Sequence, residues 1–187
     1  MSKSDINNIY INTDERLFYL NDSIDNASLG KICFNLLYLL RQDDKKEAEQ
    51  KNYTRQPISI FVNSFGGSVY DMWALVDIIE NSKTPIHTYC SGYAMSAGFI
   101  IFLSGHKRFV TRHATLMCHQ ISMWDNGKLS DMQQVMEERE DNQRDIEAFI
   151  MKQTKITQEK LDEVRTKKID WYIKSSDVEN LGIAEVI

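Results

Sequence analysis

The heptapeptide Gly92-Tyr93-Ala94-Met95-Ser96-Ala97-Gly98 holds a serine between small neighbours. It follows an extended apolar run and precedes another, Phe99 to Leu103. That order suits a tight strand-to-helix junction where backbones pack closely. A serine at a helix N-terminus lies beside N–H groups that lack intrahelical partners, at the positive end of the helix dipole. An acyl-transfer oxyanion needs such donors. Taken alone, the segment reads more readily as a small-residue packing contact.

A second junction, Asn63-Ser64-Phe65-Gly66-Gly67-Ser68, also joins a strand to a helix. Paired glycines allow positive φ and let a backbone N–H approach a ligand. No Gly-Lys-Ser/Thr follows, so this is not a nucleotide P-loop, and the third glycine of a dinucleotide fingerprint is missing. Of the four histidines, His119 ends the apolar strand Thr115 to Cys118, a rigid place for a catalytic base. A single histidine is ordinarily a satisfied imidazole, so it gains meaning only beside the serine.

The elements that must position these residues alternate. Strands are expected at 17–20, 58–62, 86–90, 108–110 and 115–118, the second and third each preceded by one of the two prolines, Pro57 and Pro85. Leu29, Ile32, Cys33, Leu36, Leu37 and Leu40 form a helical stripe with Asn26 as N-cap. Val69, Met72, Trp73, Val76 and Ile79 form a second. Ser130 to Gln133 has the form of a capping box, opening a long helix whose apolar face uses Met132, Val135, Met136, Ile146, Phe149 and Ile150. Its charge run, 137–145, reads as a solvated face, or more sharply as a surface that meets another subunit. A short last helix is signalled by Ser176 to Glu179, with Gly182 as its stop. Residues 42–56 read as a helix end and an exposed loop. Alternating strands and helices imply an α/β fold with a mostly parallel sheet.

At 187 residues the chain suits one domain over its whole length, 1–187. A hydrophobic share of 42% with 26% charged residues is ordinary for a soluble globular protein. The net charge of −5, with no basic patch, argues against nucleic acid. Cys33, Cys90 and Cys118 are odd in number and form no CxxC pair, which argues against zinc and disulfide frameworks. Met1 to Asn12 lacks the apolar core of a secretory signal, and no run is long enough to span a bilayer. A cytoplasmic location, no membrane contact, no metal and no cofactor are expected.

Together the three signals resemble the ClpP family of ATP-dependent serine peptidases. The resemblance lies in Ser64-Phe65-Gly66-Gly67, then Gly92-Tyr93-Ala94-Met95-Ser96, then Met117-Cys118-His119-Gln120, in the family's order and along about 16–187. It implies Ser96 as nucleophile, His119 as general base and then acid, and Asp170 of Asp170-Trp171-Tyr172 as the carboxylate that orients the imidazole, with Asp162 and Asp177 as fallbacks. The backbone N–H groups of Gly67 and Ala97 would form the oxyanion hole. The fold implied is a ClpP/crotonase-like spiral of ββα units with a protruding helical handle, here about 131–152. The implied assembly is a homo-oligomer, a heptameric ring or a stacked double ring, that encloses unfolded protein or peptide substrates. The strand after His119 would lie beside the substrate. ATP would enter only through a partner AAA+ unfoldase.

The chain departs from the family pattern in three places: Phe65 and Ile121 stand where the family has proline, and Ser122-Met123-Trp124-Asp125 replaces a glycine-rich stretch. These departures keep open a catalytically inactive ClpP-like structural subunit. A crotonase-like acyl-CoA enzyme is a further alternative, although its site needs no Ser/His pair. An α/β-hydrolase would place its Asp before its His, whereas here His119 comes 23 residues after Ser96 and Asp170 comes last.

Overall fold

The computed structural model describes residues 8–121 and 129–187. The chain begins with β1 (Ile9–Asn12), β2 (Leu17–Leu20), α1 (Asn26–Glu49), β3 (Ile58–Val62), α2 (Val69–Glu80) and β4 (Ile86–Cys90). Then come β5 (Tyr93–Met95), α3 (Ala97–Leu103), β6 (Lys107–Val110), β7 (Thr115–Cys118) and α4 (Leu129–Gln153). It closes with α5 (Gln158–Lys167), β8 (Trp171–Lys174), α6 (Ser175–Val178) and β9 (Glu185–Val186). The larger sheet has the order β1-β2-β3-β4-β6-β9, and the smaller β5-β7-β8. In the larger sheet only the β1–β2 pair is antiparallel, so the expected mostly parallel sheet is present.

Strand alternation explains how the larger sheet is covered. Ile58, Ile60 and Val62 of β3 are buried, as are Ile86, Thr88 and Cys90 of β4. The intervening side chains point to the opposite face. There Tyr10, Tyr19, Phe61, Tyr89 and Phe109 occupy matching register positions on five neighbouring strands. Their rings form a continuous cross-strand row, with centroid spacings from 4.8 to 6.3 Å. Such pairs stabilise a sheet beyond the area they bury.

The helices correct several sequence expectations. Asp25, not Asn26, caps α1: its carboxylate accepts from the Ser28 N–H at 2.8 Å, and the Ser28 hydroxyl accepts from the Asp25 N–H at 3.1 Å. The buried stripe of α1 runs Leu29, Ile32, Leu36, Leu39 and Asp43, while Leu37 is exposed with Phe34 and Tyr38. Among the described side chains of the apolar face of α4, Ile146, Phe149 and Ile150 are buried and Met136 is exposed. Nearer its start, α4 reaches α2, where the Tyr70 hydroxyl lies 3.4 Å from the Glu138 carboxylate. The capping box at Ser130 to Gln133, together with Met132, rests on side chains outside those described, and residues 122–125 lie outside the described residues altogether. The last helix begins one residue early, at Ser175, with Lys174 in the N-cap place and no side-chain cap.

The segment 42–56 differs most from its reading as a helix end and loop. Helix α1 continues to Glu49, and Asp43 is wholly buried. Its carboxylate accepts from Arg16 Nη1 at 3.1 Å and Nη2 at 2.6 Å, from the Tyr53 hydroxyl at 2.6 Å and from the Thr84 hydroxyl at 2.7 Å. Burial pushes this carboxyl up, but the hydrogen bonds from Arg16, Tyr53 and Thr84 outweigh it and hold the group below the usual carboxylate range. A depressed folded pKa contributes stability above the unfolded pKa of about 3.9, and that contribution is lost as pH falls through the folded value. Replacing Asp43 by Ala leaves the Arg16 guanidinium and two hydroxyls without their acceptor. Urea unfolding at pH 7 should show a loss of about 3 kcal/mol. The difference between the wild type and Asp43→Ala should shrink as pH drops below about 4.

Candidate active site

The smaller sheet assembles the site by register. Strand β5 runs parallel to β7 with Met95 opposite Met117, and the Ser96 N–H donates to the Met117 carbonyl at 2.9 Å. Strand β8 runs antiparallel to β7 with Cys118 opposite Trp171. One residue beyond these pairs, the strand ends bring Ser96, His119 and Asp170 together. His119 Nε2 lies 2.9 Å from Ser96 Oγ, and Nδ1 lies 3.1 Å from Asp170 Oδ1. An ionised carboxylate only accepts, so Nδ1 carries the proton and Nε2 accepts from the serine hydroxyl.

Each residue is held by its own element. Ser96 sits at the start of α3, whose seven residues are all buried. Its backbone is at φ 52° and ψ −125°, a conformation that costs an L-residue about 1–3 kcal/mol. The strain turns Oγ out of the sheet toward the imidazole. His119 follows β7, in which Leu116, Met117 and Cys118 are buried. Asp170 follows α5, which ends with Lys168 in the left-handed region at φ 51°, and the Ile169 N–H bonds back to the Val164 carbonyl. The Lys160 ammonium lies 4.8 Å from the Trp171 ring centroid and ties α5 to the first residue of β8. The Asp170 side chain is 53% exposed and that of His119 22%, so the carboxylate is the wettest member of the chain of hydrogen bonds. The fallbacks are engaged elsewhere: Asp162 accepts from Arg165 and Gln158, and Asp177 lies in the first turn of α6.

Gly67 lies at φ 151°, and a Cβ there would stand 2.1 Å from the Ile24 carbonyl oxygen, so only glycine fits. The Ser68 N–H donates to that same carbonyl at 2.7 Å. Among the described residues, neither the Gly67 N–H nor the Ala97 N–H has a protein acceptor. Both residues line one cavity of about 360 Å³ with Ser96 and His119. Its floor is apolar, made by Met72, Phe99, Ile100 and Ile146, and sequence reading had placed these only as core stripe or helix run. Burial pushes the Cys118 thiol in this wall up to about 12, helped by the Glu147 carboxylate. That thiol stays protonated at neutral pH.

Residues the sequence did not flag brace the site from behind. Glu147 is buried in α4 and accepts from Gln143 at 2.9 Å and from Gln158 at 2.8 Å, with Arg165 at 3.5 Å. Gln143 in turn accepts from the Ile121 N–H at 2.9 Å. One carboxylate thus links the segment after His119 to the helix before Asp170. The Ile121 N–H is engaged there, and the segment expected to lie beside a substrate continues into residues outside those described. A glutamate within a charge-rich helix gives no sequence signal of burial.

A hydrogen-bonded serine, imidazole and carboxylate beside an apolar cavity is the arrangement of the serine hydrolases. The Clp protease family profile matches residues 2–187, and the chain belongs to that family. The chain is 27% identical, over 92% of its length and 84% of the relative's, to the ATP-dependent Clp protease proteolytic subunit 1 of Shouchella clausii. A proteolytic subunit 1 of Prochlorococcus marinus is 32% identical over 63% of this chain, which spans 56% of that relative. In fold, a mutant ClpP1 from Listeria monocytogenes matches with a TM-score of 0.77 at 22% identity, covering 93% of this chain and 92% of that one. The spiral α/β fold expected from the motifs is therefore the fold of the chain. Among the described residues, no helix is long and apolar enough to cross a membrane.

The strained serine backbone has a measurable consequence. Glycine tolerates positive φ, so Ser96→Gly should unfold at higher urea than Ser96→Ala, by about 1 kcal/mol. Equal midpoints for the two variants would mean that Ser96 is not held in the strained conformation.

Proposed function

We propose that this chain is a serine endopeptidase subunit that cleaves unfolded proteins or peptides with Ser96, His119 and Asp170. The observation that carries this reading is the unbroken pair of hydrogen bonds from Ser96 Oγ through the imidazole to Asp170. Ser96 Oγ attacks the scissile carbonyl carbon while His119 Nε2 takes its proton. The resulting oxyanion accepts from the N–H groups of Gly67 and Ala97. The C–N bond then breaks, the leaving amine takes the proton from His119, and a water activated by the same imidazole releases the acyl group. Asp170 holds the Nδ1–H tautomer throughout. The apolar floor favours an uncharged, apolar side chain at the residue whose carbonyl is attacked.

Assembly into a homo-oligomeric ring or double ring belongs to the same reading. Phe34, Leu37 and Tyr38 lie exposed together on α1, a face that a second copy would cover. The relatives' names describe them as ATP-dependent proteolytic subunits, and this chain has no Gly-Lys-Ser/Thr loop of its own. An AAA+ unfoldase partner would supply that function. The reading needs no cofactor or metal and places the protein in the cytoplasm.

A fluorophosphonate should add once to the wild-type chain and to neither Ser96→Ala nor His119→Ala, read by intact mass. On a fluorogenic peptide, Ser96→Ala should lower kcat by about 10⁴-fold or more. Asp170→Asn, which loses the carboxylate but keeps the shape, should lower it by about 10²–10⁴-fold. An assembled wild type that takes no adduct would overturn the reading. Among peptides that differ at the residue before the cleaved bond, Leu or Met should exceed Asp or Lys in kcat/KM by at least about tenfold. Equal rates would remove the apolar cavity from substrate recognition.

A further inference from the structure

Phe65 is 68% exposed, yet it lines the same cavity as Ser96 and His119. Its ring stacks on Tyr93 with centroids 4.1 Å apart and planes inclined by 27°. One ring face is therefore covered and the other is open. Tyr93 is a firm base for the stack. Its N–H donates to Asn63 Oδ1 at 3.2 Å, and its carbonyl accepts from the Ser64 N–H at 3.1 Å. The next residue, Gly66, passes so close to the nucleophile that an added Cβ would stand 2.8 Å from Ser96 Cβ. The Phe65 platform is thus anchored one residue from the reacting serine. It stands at the rim, away from the buried floor formed by Met72, Phe99 and Ile100. Among the described residues, no Asp, Glu, Lys or Arg lines this cavity.

The geometry points to Phe65 and Tyr93 as a second, aromatic subsite that selects a planar or bulky apolar side chain on a substrate residue flanking the one held by the floor. The inference rests on the peptidase reading for the identity of the substrate, a peptide. A rigid ring with one face already stacked offers contact area with little conformational entropy left to lose on binding. Among the described residues, the lining gives an acidic or basic side chain no charged partner to offset its desolvation.

Binding to the full chain carrying Ser96→Ala tests this without turnover. Capped hexapeptides with leucine for the floor and Phe, Leu, Ala or Ser at each flanking position are titrated by calorimetry. The same series is then run with Phe65→Ala, Phe65→Leu or Phe65→Trp added. The Phe peptide should bind tighter than the Ser peptide at one flanking position only. Phe65→Ala should weaken the Phe peptide about three- to tenfold and the Ser peptide far less, with Phe65→Trp restoring the preference. Equal weakening of all four peptides, or no change, overturns the subsite. A particle mass altered by Phe65→Ala, with no side-chain dependence in Kd, overturns it in favour of a contact between copies. Cleavage of the same peptides by the chain with Ser96 intact separates the two claims. The expected Kd pattern without cleavage keeps the subsite and removes the peptidase reading, while cleavage without that pattern does the reverse.

Discussion

The register of the three-stranded sheet is the constraint on which the site depends. Met95 opposite Met117 and Cys118 opposite Trp171 leave Ser96, His119 and Asp170 at adjoining strand ends. Side chains alternate along a strand, so a slip of one residue would turn His119 to the wrong face. The register is defended by burial: Ala94, Leu116 and Ile173 point into the core from all three strands, so a slip would expose them. The same apolar contacts that stabilise the small sheet therefore set the distances between the polar groups.

Around that sheet the structure separates tasks. The larger sheet carries buried side chains on one face and the aromatic row on the other. The Asp43 cluster joins Arg16 before β2, Tyr53 after α1 and Thr84 before β4, and so locks the far end of the fold. The Glu147 cluster does the same beside the site, joining the segment after His119 to α5. Both are buried carboxylates: the partners of Asp43 come from three separate segments, and those of Glu147 from its own helix and from α5. A buried charge is tolerated only when its acceptor positions are filled, so each cluster strongly penalises alternative packings of the segments it joins.

Ser96 is held under backbone strain while His119 and Asp170 are not. Ser96 accepts an unfavourable backbone conformation because α3 behind it is wholly buried and the Gly66-Gly67 turn in front leaves room. Asp170, by contrast, stays half in water, where its attraction for His119 is weaker than it would be in a dry site. The imidazole is thus held on one side by this half-exposed carboxylate and at its backbone by the buried strand β7.

Local sequence determined the elements whose signals are local. Pro57 and Pro85 mark the entries to β3 and β4, alternation within those strands sets their buried faces, and small residues around Ser96 mark a tight junction. The order of the Ser, His and Asp segments was legible through their resemblance to the ClpP motifs, since each segment taken alone is weak. The edges of the buried face of α1 were not, since Leu37 falls on the expected stripe yet is exposed, while the charged Asp43 is buried with Arg16, Tyr53 and Thr84. The burial of Glu147, the stacking of Phe65 on Tyr93 and the apolar floor of the cavity likewise depend on residues far apart in the chain. Their partners are chosen by sheet register and helix packing, and a linear pattern carries no record of a contact across such separations. Sequence thus determined the chemical groups and their order, while the tertiary structure decided their distances, because only the packed core brings the three strand ends together.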